Sequence, residues 1–148
     1  MAWIEANNGT QTAYEEGTRY TATIKEITFE PDGKFGAQFK FVFDVDGSDE
    51  WVWASTKLGK HQGRVSKLRG ICNAVFMKPE GTEIKAINDE TFEVKYDGEA
   101  KPRKLGAGMI LRMKGEYFEG DDGTTSWKWT RFAGVENSAV ENPQPALV

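Results

Sequence analysis

Between Phe35 and Val45 the chain alternates cleanly, with Phe39, Phe41, Phe43 and Val45 on one side and Gln38, Lys40, Val42 and Asp44 on the other. A period of two over this length predicts a β-strand with one face in a core. Tyr20, Ala22 and Ile24 alternate in the same way, but the next apolar pair, Ile27 and Phe29, falls one residue out of phase. That shift predicts a bulge near Lys25-Glu26 and therefore a bent strand. Pro31-Asp32-Gly33 supplies the turn between the two runs.

Asp46-Gly47-Ser48-Asp49 and then Trp51-Val52-Trp53-Ala54-Ser55 follow the clear strand. Gly47-Ser48 suits the centre of a two-residue type II′ hairpin. That centre sets Phe43 opposite Val52 and Phe41 opposite Ala54 on the apolar side. Asp44, Val42 and Lys40 then oppose Trp51, Trp53 and Ser55 on the other side. Two indoles beside a lysine and a glutamine are not a core composition. Met109 to Phe118 and Thr125 to Phe132 predict a second hairpin around Asp121-Asp122. Its expected register places Arg112, Lys114 and Glu116 on one face with Arg131, Trp129 and Trp127. Leu111 and Met113 then share the other face with Phe132 and Thr130.

Leu68, Ile71, Cys72 and Val75 recur at helical spacing, Ser66 can cap their start and Pro79 marks the end, so a helix is predicted over 66–76. Residues 79–107 form an expected insertion, with a short strand at Thr91–Asp97 and a mobile basic loop from Gly98 to Lys104. Residues 1–17 are expected to be an irregular arm and 136–148 a flexible tail. The fold class that follows is all-β with one helix over 18–135. Its architecture is a five-stranded antiparallel barrel with the helix between strands 3 and 4.

With 148 residues the chain suits one domain, and one cysteine (Cys72) and one histidine (His61) exclude an internal disulfide and a multi-histidine metal site. No apolar run approaches the ~18 residues of a spanning helix. Met1-Ala2-Trp3-Ile4 opens nothing like a secretion signal, so the cytoplasm is the expected compartment. The net charge of -4 argues against a polyanion partner, but its distribution argues the reverse. Lys57, Lys60, Arg64, Lys67, Arg69 and Lys78 lie in a window without an acid, as do Lys101, Arg103, Lys104, Arg112 and Lys114. Eleven of the 19 basic residues thus fall in two acid-free stretches, and local field steers a polyanion more than net charge does.

The run Gly33-Lys34-Phe35-Gly36-Ala37-Gln38-Phe39-Lys40-Phe41-Val42-Phe43 resembles the turn and second strand of phage-type oligonucleotide-binding (OB) fold single-stranded DNA-binding proteins. Ser66-Lys67-Leu68-Arg69 resembles the start of their connecting helix. The likeness spans roughly Thr18 to Val135. The segment 79–107 is longer than a minimal OB connection, and the tail, with only Glu136 and Glu141, lacks the acidic end that many bacterial relatives use for recruitment. The resemblance implies an OB-like barrel, a single-stranded DNA partner and a role in replication or recombination. RNA, a homo-oligomer and replication or recombination proteins stay open as further partners.

Unpaired strands are held by aromatic rings that stack on bases and by cations that follow phosphates. Trp51, Trp53, Trp127 and Trp129 are the expected stacking residues, with Phe35 a weaker candidate. Lys40, Arg112, Lys114 and Arg131 are the expected phosphate contacts, and Lys34, Lys57, Lys60, Lys101, Arg103 and Lys104 extend the field. The chain has no phosphate-cradling P-loop, no nucleophile elbow and no carboxylate pair in an apolar setting. A binding module with no catalytic residue and no cofactor or metal is therefore expected. The rival readings are a β-barrel interaction or viral structural protein, whose tryptophans would be interface anchors, and a carbohydrate-binding domain.

Overall fold

The alternation from Gln38 to Val45 becomes a strand whose Phe39, Phe41, Phe43 and Val45 are fully buried. The computed structural model describes residues 14–33, 36–58, 60–61, 64–79 and 81–135, with only the backbone described at 60, 61, 64 and 65. Residues 1–13 of the expected arm over 1–17, and the tail over 136–148, lie outside the described residues. In chain order the first half holds β1 (Tyr20–Glu30), β2 (Gln38–Val45), β3 (Ser48–Ser55), β4 (Lys60–His61), β5 (Arg64–Val65) and α1 (Lys67–Val75). The second half holds β6 (Ile84–Ile87), β7 (Glu93–Tyr96), β8 (Arg103–Lys104), β9 (Ile110–Glu119) and β10 (Thr125–Ala133).

Five strands form one antiparallel sheet in the order β10-β9-β1-β2-β3, so the helix does fall between its third and fourth strands in the chain. The predicted bulge is present: the β1–β2 register slips between Ile24 and Glu26. The first half of β1 pairs with β9 and the second half with β2, which the bend at the bulge allows. The expected closed barrel is not formed as a continuous ladder, because β3 and β10 remain the two edges of the sheet. Side chains occupy the flank between them instead. The Trp129 indole donates to Glu50 Oε1 at 3.0 Å, and α1 packs against β10, β9 and β3 together. A sheet whose first and last strands touch the same helix must curl.

The core lies inside that curl. It joins Ala22 and Ile24, the β2 phenylalanines, Val52, Ala54, Leu111, Met113 and Phe132 to Leu68, Ile71, Cys72 and Val75 of the helix. Ser66 caps the helix as expected, its hydroxyl accepting from the Arg69 amide. The helix ends at Val75, four residues before Pro79, because Met77 turns into the left-handed region at φ 56°.

Both hairpin registers differ from expectation. The first turn centres on Asp46-Gly47, not Gly47-Ser48; both residues have positive φ (53° and 86°), the type I′ pattern. Val45 therefore pairs with Ser48, Phe41 with Val52 and Lys40 with Trp53. Partners move by two positions, so every side chain keeps its predicted face. In the second hairpin Trp127 pairs with Tyr117 and Trp129 with Gly115, then the register slips before Arg131 pairs with Lys114. Before the slip the difference is one residue and moves the two tryptophans to the other face; after it the difference is two, and Arg131 and Phe132 keep their expected faces.

The insertion is a three-stranded sheet, β6-β7-β8. Val94, Tyr96 and Leu105 carry it into the main core. The expected mobile loop from Gly98 to Lys104 is instead tied down: Arg103 makes two bonds of 2.9 Å to Glu99, which also receives Lys78 at 2.6 Å. A basic sequence reads as a free loop only while the acid that neutralises it is unseen.

Candidate nucleic-acid interface

The outer faces of β2 and β3 carry Lys40 between two indoles. Trp51 is 57% exposed and Trp53 41%, although both lie in the middle of a strand whose alternate residues, Val52 and Ala54, are buried. The observed register makes Lys40 the direct cross-strand neighbour of Trp53. Its Nζ stands 3.7 Å from the Trp51 ring centroid and 5.5 Å from that of Trp53. This is a cation–π arrangement, worth about 0.5–1 kcal/mol at an exposed site. One face of Trp51 is covered by the ammonium; a planar ring that stacks there must use the other.

Carboxylates limit where an anionic chain can run. On the outer face of β1, Glu26 and Glu30 stand opposite Val42 and Gln38. They border the tryptophan face on that side. The opposite side opens onto a cleft of about 310 Å³ between β3 and β10, lined by Glu50, both exposed tryptophans, Trp127 and the two lysines Lys67 and Lys128. Burial at the cleft, and then the nearby Lys128 charge, hold the Lys67 ammonium below its ordinary lysine value. The cleft's carboxylate is already engaged: Glu50 accepts from Trp129, from the Tyr14 hydroxyl at 2.8 Å and from the Ser48 hydroxyl at 3.1 Å. Burial, then the bond to this carboxylate, push the Tyr14 hydroxyl up to about 12.

The second tryptophan pair does not share a face with Arg112, Lys114 and Arg131, as the sequence led us to expect. Trp129 is only 3% exposed and belongs to the core. Trp127 is half-buried, its ring 4.8 Å from Tyr117 and 5.3 Å from Trp129 between centroids. The cause is the register and a glycine. With Gly115 opposite Trp129, the Trp127 ring lies where a side chain at 115 would stand: a Cβ there would approach Trp127 Cζ2 to 2.5 Å. Lys128, between the two tryptophans, takes the outward position with Glu116 opposite.

Arg112, Lys114 and Arg131 do come together, on the outer face of β9 and β10, and Arg19, the residue before β1, joins them around a cavity of about 90 Å³. Lys57 is exposed just after β3. Lys101, Arg103 and Lys104 lie in the insertion and line neither the cleft nor this cavity. Lys34, Phe35 and the Lys60 side chain lie outside the described residues. Arg69, counted in the first basic window, is buried and donates to the carbonyls of Leu58, Gly81 and Thr82, so its charge serves the fold. The sequence places Lys67 in a basic window without marking it as a contact, and it marks neither Lys128 nor Arg19. Lys67 and Lys128 meet only through the packing of α1 on β10, and Arg19 reaches Arg112 only through the β1–β9 pairing.

Among the described residues no group of three or more His, Cys, Asp or Glu side chains could hold a metal ion. No helix among them is long and apolar enough to cross a membrane. Compared with protein-family models and with curated proteins, the sequence finds no match.

Proposed function

We propose that this protein binds single-stranded DNA with little sequence preference, as a binding module rather than an enzyme, and that it works in the cytoplasm in replication or recombination. The observation that carries this reading is the pair of exposed indoles, Trp51 and Trp53, bracketing Lys40 at the lip of a cleft that holds Lys67 and Lys128. Stacking contributes about 1–3 kcal/mol per base and accepts any base, because each presents a π face. Lysines beside the rings supply the phosphate contacts, and Glu26 and Glu30 turn the strand away from β1. The order β10-β9-β1-β2-β3 with one helix after the third strand supports an OB-like barrel left open on the β3–β10 flank. The resemblance from Gly33 to Phe43 supports the same reading.

The second reading is a protein-interaction surface, favoured by the same exposed tryptophans beside the edge of β3. Titration of tryptophan fluorescence with poly-dT at two salt concentrations decides between them. Single-strand binding gives quenching and an affinity that falls steeply with salt. Absence of quenching by poly-dT and poly-U alike rejects the nucleic-acid reading.

A further inference from the structure

We infer that Arg19, Arg112, Lys114 and Arg131 form a phosphate-binding site on the outer face of β1, β9 and β10, separate from the tryptophan cleft. These four cations line one small cavity with Phe132 and Ala133 and no carboxylate. The ion pairs found among the described residues are Lys25–Asp49, Lys78–Glu99 and Arg103–Glu99, and none uses any of the four. The neighbouring Glu116 is bonded to the Thr130 hydroxyl at 3.2 Å and does not line the cavity. Arg112 adds an independent sign: its Nε is buried and has no hydrogen-bond partner among the described residues, while its guanidinium reaches only the Arg19 carbonyl, at 3.5 Å.

An N–H donor taken out of water and left without an acceptor disfavours the folded state, and like charges gathered without an acid do the same. An anion in the cavity relieves both. The cavity, about 90 Å³, suits one anionic group and not an extended organic ligand, whose sites begin near 300 Å³. Three guanidinium forks and an ammonium match the several oxygens of a phosphate better than a carboxylate, which has two oxygens and one charge. The phosphate comes either from a small polyphosphate or from the backbone of a strand that crosses β10. Lys128 in the cleft and Arg131 in this site sit on that one strand, about 10 Å apart at 3.3 Å per residue. The site's existence is independent of the reading proposed above; only the strand source rests on it.

The test uses inorganic pyrophosphate in calorimetry at low salt, and oligothymidylate binding measured across salt concentrations. The wild type is compared with K114Q/R131Q, whose fold is checked by near-ultraviolet circular dichroism, and with R112K. A small polyphosphate source predicts saturable pyrophosphate binding that weakens at least tenfold in K114Q/R131Q and persists when Trp51 and Trp53 are both replaced by Ala. A strand source predicts a salt slope for oligothymidylate that is smaller by about 1.4 in K114Q/R131Q, at ~0.7 per lost contact. Pyrophosphate binding that is absent or equal in both proteins, with no change in slope, overturns the inference. Should oligothymidylate fail to bind at all, the proposed function falls and the pyrophosphate arm alone decides the site.

Discussion

Trp129 Nε1 donates to Glu50 Oε1 across 3.0 Å, and this contact joins two edge strands that share no backbone ladder. Glu50 also receives Tyr14 and Ser48, so one carboxylate gathers three donors at the flank. Glu50→Ala strands the buried indole N–H. The expected cost is about 1–3 kcal/mol, read as a lower midpoint in urea denaturation. A midpoint equal to wild type would show that the flank is held by packing alone.

Trp51 and Trp129 separate binding from folding. Trp51→Ala removes an exposed ring and its contact with Lys40; stability is expected to stay within about 1 kcal/mol of wild type, while poly-dT affinity falls by about 1–3 kcal/mol. Trp129→Ala removes a core side chain and should cost about 3–5 kcal/mol of stability. Denaturation and fluorescence titration on the two variants check the contrast, and a reversed pattern refutes the assignment of faces.

Gly115→Ala probes the seat of Trp127. The added methyl meets the indole and the Lys128 carbonyl, each at 2.5 Å, so the ring or the strand must move. A loss of about 1–3 kcal/mol is expected, together with a shift in the tryptophan emission maximum. An unchanged spectrum and midpoint would mean that the ring is free to leave its place.

Acid should loosen the insertion first. The Arg103 guanidinium, and then Lys78, hold the Glu99 carboxyl well below its usual range, at about 2. A carboxyl depressed in the folded state contributes stability above its unfolded value near 4.5, and that contribution is lost as pH falls from about 4.5 toward 2. Between those limits wild-type stability should fall more steeply than that of Glu99→Gln, measured by urea denaturation at each pH. Parallel curves would deny the ion pairs a role.

Cys72 reports on opening of the core. Burial raises its thiol to about 12, so the reactive thiolate is suppressed while the helix face stays packed. Modification by a thiol reagent is expected only as fast as the protein unfolds. Prompt labelling at neutral pH in native buffer contradicts this packing.

Much of the sheet was legible because alternation and phase are local. The β2 phenylalanines, the bulge after Ile24 and the Ser66 cap follow from spacing alone. The first hairpin kept its faces despite a misplaced turn, since shifting the centre from Gly47-Ser48 to Asp46-Gly47 moves partners by two. The second keeps the faces of Arg131 and Phe132 but not those of the two tryptophans, because the three-residue gap between Trp129 and Phe132 is the same phase break as that between Ile24 and Ile27. Lys67 with Lys128 and Arg19 with Arg112 are products of tertiary packing, and no local pattern marks them. The acid that pins Arg103, Glu99, lies four residues before it in the chain.

The slip of register at Thr130 decides which side chains β10 shows to solvent. Strict alternation from Trp127 and Trp129 would drive Arg131 into oil and leave Phe132 in water; one surplus residue exchanges them. An unslipped strand of the same length would turn Arg131 inward and Phe132 outward together, so this short stretch of sequence is under two constraints at once.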